Sequence, residues 1–165
     1  MLASAYRYFP LGTVHTVVVD PGVGGRREAL AAEIAGHFFV APNNGVLSYV
    51  LAAGYTSLIR LTAAQYWLPN PSRTFHGRDI FAPVAAHLSR GVPLNALGEP
   101  FAEPLQIPIP RPSQRPDGVW VAHVIHIDRF GNLITDMRPE PEWLAHLTGA
   151  HIKGRVVDAV VETYS

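Results

Sequence analysis

Apolar residues fall in short runs separated by glycine and proline, and each run has its own spacing. Residues 13–19 (Thr13-Val14-His15-Thr16-Val17-Val18-Val19) are rich in β-branched side chains and read as a strand. Asp20-Pro21-Gly22 stops it and turns the chain. Residues 29–34 are apolar, but the run is too short for its period to separate helix from strand. Ala35-Gly36 and the following run His37-Phe38-Phe39-Val40 favour a hairpin. Val46, Leu47, Val50 and Leu51 repeat at helical spacing, with Gly54 placed as a C-cap, and residues 58–61 read as a strand. Ile80, Phe81, Val84, Ala85 and Leu88 form one face of a further helix, with Asp79 as its N-cap and Gly91 closing it. Pro83 is tolerable there because first-turn N–H groups have no intrahelical acceptor. Residues 119–127 alternate, residues 128–132 turn, and residues 133–137 return as the hairpin partner. A last hairpin is expected over 152–164, around Gly154.

Proline locates a boundary. Seven of the 15 prolines lie between Pro93 and Pro116, a density incompatible with regular helix or a central strand. The stretch reads as an extended linker. The expected organisation is an α/β sheet domain over 1–103, a proline-rich linker over 104–118 and a small β-domain over 119–165. The last has few strands to stand on its own.

Charge and cysteine narrow the function classes. The 165 residues carry 13 basic and 13 acidic side chains, with no basic run to suggest a nucleic-acid or membrane-surface partner. No apolar run approaches the ~18 residues of a membrane span, and the first residues lack a signal-peptide pattern. Cysteine is absent, so disulfides and thiolate chemistry are excluded, and a cytoplasmic location is expected.

Polar groups gather where elements end: residues 20–27, Asn43-Asn44-Gly45, residues 75–79 and residues 128–132. Asp20 closes a strand, and ligands in open α/β sheets gather at the carboxyl ends of strands. The same residues also make an ordinary Asp-Pro-Gly turn. The glycines of 22–25 do not form a phosphate cradle, because no Gly-Lys-Ser/Thr follows. His76 precedes a helix, whose dipole favours an anion and a neutral imidazole. His126 and Asp128 share a strand face, and with His76 and Asp79 they raise a metal site as an alternative, but the spacing matches no recognised zinc pattern. His15, His37, His87, His123, His146 and His151 read as structural. A Ser-His-Asp hydrolase lacks its Gly-x-Ser-x-Gly elbow.

Five motifs occur in one order: residues 8–15 (Tyr8-Phe9-Pro10-Leu11-Gly12-Thr13-Val14-His15), Val19-Asp20-Pro21-Gly22-Val23-Gly24, Ala41-Pro42-Asn43-Asn44-Gly45, Phe75-His76-Gly77-Arg78-Asp79, and Ile127-Asp128-Arg129-Phe130-Gly131-Asn132-Leu133. Together they resemble the S-adenosyl-L-methionine hydrolase (adenosine-forming) family, the hydroxide adenosyltransferases, which are related to fluorinating and chlorinating enzymes. The resemblance implies attack of water on C5′ of S-adenosyl-L-methionine, giving adenosine and L-methionine. It implies no metal and no cofactor, since the sulfonium is itself the leaving group. The family's Asp-Arg-His set falls on Asp20, Arg27 and His76: Asp20 and His76 would orient and polarise the water, and Arg27 would hold Asp20 ionised. By the same resemblance Asp128 would accept the methionine ammonium, Phe130 would pack on the adenine, Asn132 would bond its edge, and Phe9 would line the pocket. The rival reading of residues 128–132 is a plain hairpin turn. Asn44 and Arg78 are expected to shape loops.

The halogenating relatives bear hydroxyls at positions matched here by Phe9, Gly12 and Gly77, so water is favoured over halide. Compared with the family, the chain is expected to be short at both ends. It lacks the opening strand with its ribose-binding Thr-Asp-Phe-Gly loop, and the polar residues that hold the methionine carboxylate. A full-length protein would form a homotrimer, with sites between subunits. A halogenase and a non-catalytic adenosine- or S-adenosyl-L-methionine-binding module remain the alternatives.

Overall fold

The computed structural model describes residues 2–138 and 146–157, which fall into two units, the first running to Ile109 and the second beginning at Pro110. The first unit is built on a mixed five-stranded sheet. Its strands are β1 (Val14–Thr16), β2 (Ala29–Ile34), β3 (His37–Pro42), β4 (Ser57–Leu61) and β5 (Gly98–Pro100), in the order β1-β3-β2-β4-β5. β1 runs parallel to β3, and the other pairings are antiparallel. β2 and β3 form the expected hairpin through Ala35 and Gly36, both at positive φ.

Both faces of this sheet are covered, which explains why β2 looked equally like helix or strand. Ala29, Ala31, Val40, Ile59 and Leu61 point to one face, where they pack with Ile80, Phe81, Val84 and Leu88. Leu30, Ala32, Ile34, Phe39, Ala41 and Leu58 point to the other, against Tyr6, Leu47, Val50 and Leu51. A strand buried on two sides loses its polar alternation. The helices are short: α1 (Leu2–Ala5), α2 (Ser48–Leu51) and α3 (Ala82–Ser89).

Three expectations change. The strand read over 13–19 is assigned only over Val14–Thr16, and the pairing persists just to the Val17 N–H, which donates to the Val40 carbonyl at 2.9 Å. Asp79 is not an N-cap. A π-helical segment, Gly77–Phe81, precedes α3, and His76 is the residue that flanks it. Pro83 accounts for part of this: it has no N–H to offer the carbonyl of Asp79 four residues back. That carbonyl instead accepts the Leu68 N–H at 2.8 Å. Finally, the proline-dense stretch is not extended linker throughout. Leu94–Leu97 is a 3-10 turn, and β5 pairs along β4 as an edge strand, where proline is permitted. Residues beyond it stay on the first unit, with Leu105 N–H donating to Asn43 Oδ1 (2.7 Å) and Ile107 N–H to Ser48 Oγ (2.9 Å).

Among the described residues the second unit contains three two-stranded pieces: β6 (Ser113–Gln114) with β7 (Trp120–Val121), β8 (Val124–Ile127) with β9 (Leu133–Thr135), and β10 (Ala150–Ile152) with β11 (Arg155–Val157). The alternating run over 119–127 is thus broken at residues 122–123, where the His123 N–H bonds Asp136 Oδ1 at 2.8 Å. The final hairpin turns at Lys153 and Gly154, both at positive φ, and the part of it expected beyond residue 157 lies outside the described residues. Among the described residues no helix is long and apolar enough to cross a membrane.

Candidate active site

Sheet direction brings the polar loops to one end. β1 and β3 are parallel, so residues 17–20 and residues 43–45 leave the sheet at the same edge. β2 is antiparallel to β3, so Arg27 and Glu28 enter there as well, and β4 ends there. This shared edge lets Asn44 Nδ2 donate to the Val19 carbonyl at 2.8 Å, which fixes the residue before Asp20. Asn44 also accepts the Val46 N–H on Oδ1 at 3.1 Å, an Asx turn that sets its own orientation.

The loop from Asp20 to Arg27 doubles back through two tight turns, with Val23 N–H to Asp20 C=O at 3.2 Å and Gly25 N–H to Gly22 C=O at 3.0 Å. Gly24 sits at φ +74°, and a Cβ there would lie 2.3 Å from the Arg73 carbonyl oxygen. Only glycine supplies both the dihedral and the close approach. The loop therefore rests on the 70–75 segment, which in turn is tied to the π-helical segment. Asp79 accepts the Ser72 N–H at 2.7 Å and pairs with Arg78 at 2.6 Å. These bonds, Arg78 first, hold the Asp79 carboxyl below its usual range. Arg78 lies over the Phe75 ring at 4.9 Å. Arg78 and Asn44 thus make their contacts with the loops around Asp20, Arg27 and His76.

Asp20, Arg27 and His76, up to 56 positions apart in sequence, meet here. Arg27 Nε donates to Asp20 Oδ1 at 2.9 Å and to Oδ2 at 3.1 Å, and Nη2 donates to Oδ2 as well. The same Nη2 lies 2.8 Å from His76 Nδ1. A guanidinium is always a donor, so Nδ1 must be the acceptor and the imidazole proton resides on Nε2. The His76 pKa is lowered: burial penalises its cation and the Arg27 charge repels it, and these two outweigh the opposing pull of the Asp20 and Asp79 carboxylates. Both partners of the ion pair are nearly buried, the Asp20 side chain 5% and the Arg27 side chain 11% exposed. The Arg27 guanidinium also stacks over Phe81 at 5.3 Å, a floor that no sequence motif indicated. Helical spacing identifies Phe81 only as core.

This arrangement presents a carboxylate, an imidazole N–H and a fixed cation in one place. It can accept a proton, donate one hydrogen bond and stabilise the negative charge.

The other candidates make contacts of their own. Phe9 is half exposed, and its ring meets His15 edge-on at 5.3 Å. Asp128, Phe130 and Asn132 belong to the second unit, on the β8–β9 turn. Asp128 Oδ1 accepts the N–H groups of Phe130 (2.8 Å) and Asn132 (2.9 Å), and Oδ2 accepts Asn132 Nδ2 at 2.8 Å. Those bonds, led by the Asn132 side chain, lower the Asp128 pKa. Phe130 is 91% exposed. Among the described residues no three His, Cys, Asp or Glu side chains are grouped to hold a metal ion.

Comparison with known proteins places the chain among relatives of one kind. Residues 1–98 match the family model for the SAM hydroxide adenosyltransferase N-terminal domain. An (R)-S-adenosyl-L-methionine hydrolase of Salinispora tropica is 43% identical over 138 residues, covering 81% of this chain and 52% of that protein. The crystal structure of an uncharacterized conserved protein from Thermotoga maritima shares the fold with a TM-score of 0.75 at 38% identity, covering 82% of this chain and 54% of that one. A fluorinase of an Actinoplanes species is 28% identical over 158 residues, covering 79% of this chain and 53% of that protein. The chain spans about half the length of the curated relatives it matches.

Proposed function

Because the chain belongs to the SAM hydroxide adenosyltransferase family, we propose that its Asp20–Arg27–His76 site hydrolyses S-adenosyl-L-methionine to adenosine and L-methionine. The observation that carries this reading is the convergence of Asp20 and His76 Nδ1 on the one Arg27 guanidinium. A water between the Asp20 carboxylate and the His76 Nε2–H would be oriented by the imidazole and polarised by the carboxylate. As its oxygen bonds to C5′, the C5′–S bond breaks and its electron pair neutralises the sulfonium. The water proton passes to Asp20 and then to solvent. The leaving group is already cationic, so the step requires neither metal nor cofactor. Holding the water in line is the main task, and a rigid ion pair suits it.

The substrate contacts are proposals of the same kind. A carboxylate has about four acceptor positions, and Asp128 uses three within its turn. Its negative charge is what would attract the methionine ammonium. The exposed Phe130 ring is free to stack on adenine, with Asn132 at its edge and Phe9 lining the pocket. A homotrimer is proposed as the working assembly. A cytoplasmic setting rests on the cysteine-free composition alone. The fluorinase similarity keeps halide attack as the second reading. The apolar or absent side chains of Phe9, Gly12 and Gly77 favour water.

The test is product analysis with S-adenosyl-L-methionine, with and without added chloride or fluoride. Adenosine and methionine are expected in both cases. Asp20→Asn, which keeps the side-chain shape, is expected to lower the rate by about 10²–10⁴-fold, the usual range for losing a general base. A 5′-halo-adenosine product would move the assignment to a halogenase. Substrate binding without any product would move it to a binding module.

A further inference from the structure

Neither Asp20 nor Arg27 lies on a paired strand. The pairing of β1 ends at the Val17 N–H, and β2 begins only at Ala29. The loop between them must nevertheless present the Arg27 fork to both Asp20 oxygens and to His76 Nδ1. One turn, Asn43-Asn44-Gly45, grips both ends of that loop. Asn44 Nδ2 holds the end beside Asp20 through the Val19 carbonyl at 2.8 Å. Asn43 holds the end beside Arg27 through Glu28 twice: its N–H donates to the Glu28 carbonyl and its Nδ2 to Glu28 Oε2, both at 2.9 Å.

The turn is itself locked by a segment distant in sequence. Leu105 N–H donates to Asn43 Oδ1 at 2.7 Å and Ile107 N–H to Ser48 Oγ at 2.9 Å, while that hydroxyl donates to the Gly45 carbonyl at 2.7 Å. Gly45 sits at φ +88°, and a Cβ there would lie 2.6 Å from Ile107 Cγ2 and 3.2 Å from Leu105 Cδ2. The segment therefore lies directly against the turn. The Asn43 side chain is buried and used at both ends, its oxygen by Leu105 and its nitrogen by Glu28. A backbone N–H can meet only the oxygen of an amide, so Leu105 dictates which way Asn43 points and leaves the nitrogen for Glu28. An aspartate in its place would offer no donor and would set a second carboxylate against Glu28.

We propose that Asn43 and Asn44 are positioning residues for the Asp20–Arg27 pair, and that residues 105–107 form the strap that locks them in place. The effect on turnover rests on the hydrolase reading; the geometry is measured without substrate.

The probe is the nitrogen magnetic resonance spectrum of the isotope-labelled, substrate-free protein, which reports the Arg27 Nε–H and the His76 tautomer. The wild type is expected to show a hydrogen-bonded Arg27 Nε–H and a His76 protonated on Nε2. Asn43→Asp, which keeps the size and the acceptor for Leu105, is expected to weaken both signatures. Adding Glu28→Gln, which exchanges donor and acceptor across the same contact, is expected to restore them. Asn44→Asp, which keeps the acceptor for Val46, and Leu105→Pro, which deletes the strap's N–H in a proline-flanked stretch, are expected to weaken the same signals. They decide the matter where Asn43→Asp does not fold. In turnover, kcat is expected to fall by about 10- to 100-fold in Asn43→Asp, the scale of a misplacement of up to about 1 Å, with KM little changed, and to recover in the double variant. An Arg27 signal unchanged in any folded variant of the three, or a loss that Glu28→Gln fails to restore, overturns the proposal. Absence of turnover in the wild type counts against the hydrolase reading alone, and the spectra then decide the positioning.

Discussion

At the residue scale the site depends on which group donates to which. Arg27 is the donor to both neighbours, so His76 can serve only as a neutral ring with its proton on Nε2. That fixes the sign of the pH dependence. Burial, then Arg27, lowers the His76 pKa from the ordinary histidine value of about 6.5. Activity is expected to be level through neutral pH and to fall only at a pH below that ordinary value. Protonation of Nδ1 would then set an N–H against the guanidinium. Stability follows the same direction. A depressed folded-state pKa means the unfolded chain takes up protons first as pH drops below about 6.5, so stability is lost on the acid side. His15, lowered by burial and by His37, adds to that loss. A pH–rate profile that rises toward acid would contradict the tautomer assigned here. Asp20 and His76 stand inside sequence motifs, and Arg27 was indicated by the family resemblance. Their hydrogen bonds were not legible in the sequence, because a motif names side chains without saying which nitrogen faces which oxygen.

At the element scale, the site depends on loops braced against one another more than on long helices. Gly24 is the point of closest approach. Gly24→Ala would demand a left-handed backbone from a residue with a Cβ and would push that Cβ into the Arg73 carbonyl. The dihedral alone costs about 1–2 kcal/mol. The expected outcome is a displaced loop: activity reduced by at least about tenfold, with the sheet intact by circular dichroism, since 1.4 kcal/mol of lost positioning is already a tenfold change. Unchanged activity in Gly24→Ala would show that the loop does not need this packing. The β2–β3 hairpin was visible because Ala35-Gly36 marks the turn. The length of β1 was not, because β-branched residues continue to Val19 while the pairing with β3 ends at Val17. Asp79 looked like a cap because caps and loop-bracing carboxylates share the same residue types. The bond it makes, to Ser72, depends on a π-helical turn that no local pattern marks.

At the scale of the whole molecule, burial is concentrated in the first unit. Residues such as Ala31, Ala32, Ile34, Phe39, Val40 and Phe81 are fully buried there. In the second unit Trp120, Val124, Ile127 and Leu133 are exposed. Amide exchange is expected to divide the chain accordingly. The central strands β2, β3 and β4 should exchange slowest, and β8 and β9 near the unprotected rate, since protection follows buried apolar contacts. Equal protection in both units would contradict this picture. Proline density marked the region of the boundary. It did not reveal that residues 104–107, placed in the linker, stay with the sheet unit, since Leu105 and Ile107 bond to Asn43 and Ser48, far away in sequence.

One measurement bears most directly on the central claim, that Asp20, Arg27 and His76 aim a water at C5′. The purified protein is incubated with S-adenosyl-L-methionine in water enriched in heavy oxygen, and the nucleoside product is analysed by mass spectrometry. Adenosine carrying the heavy oxygen in its 5′-hydroxyl is expected, at a rate that collapses in Asp20→Asn. Adenosine without the label, or labelled adenosine formed equally well by Asp20→Asn, would contradict that claim.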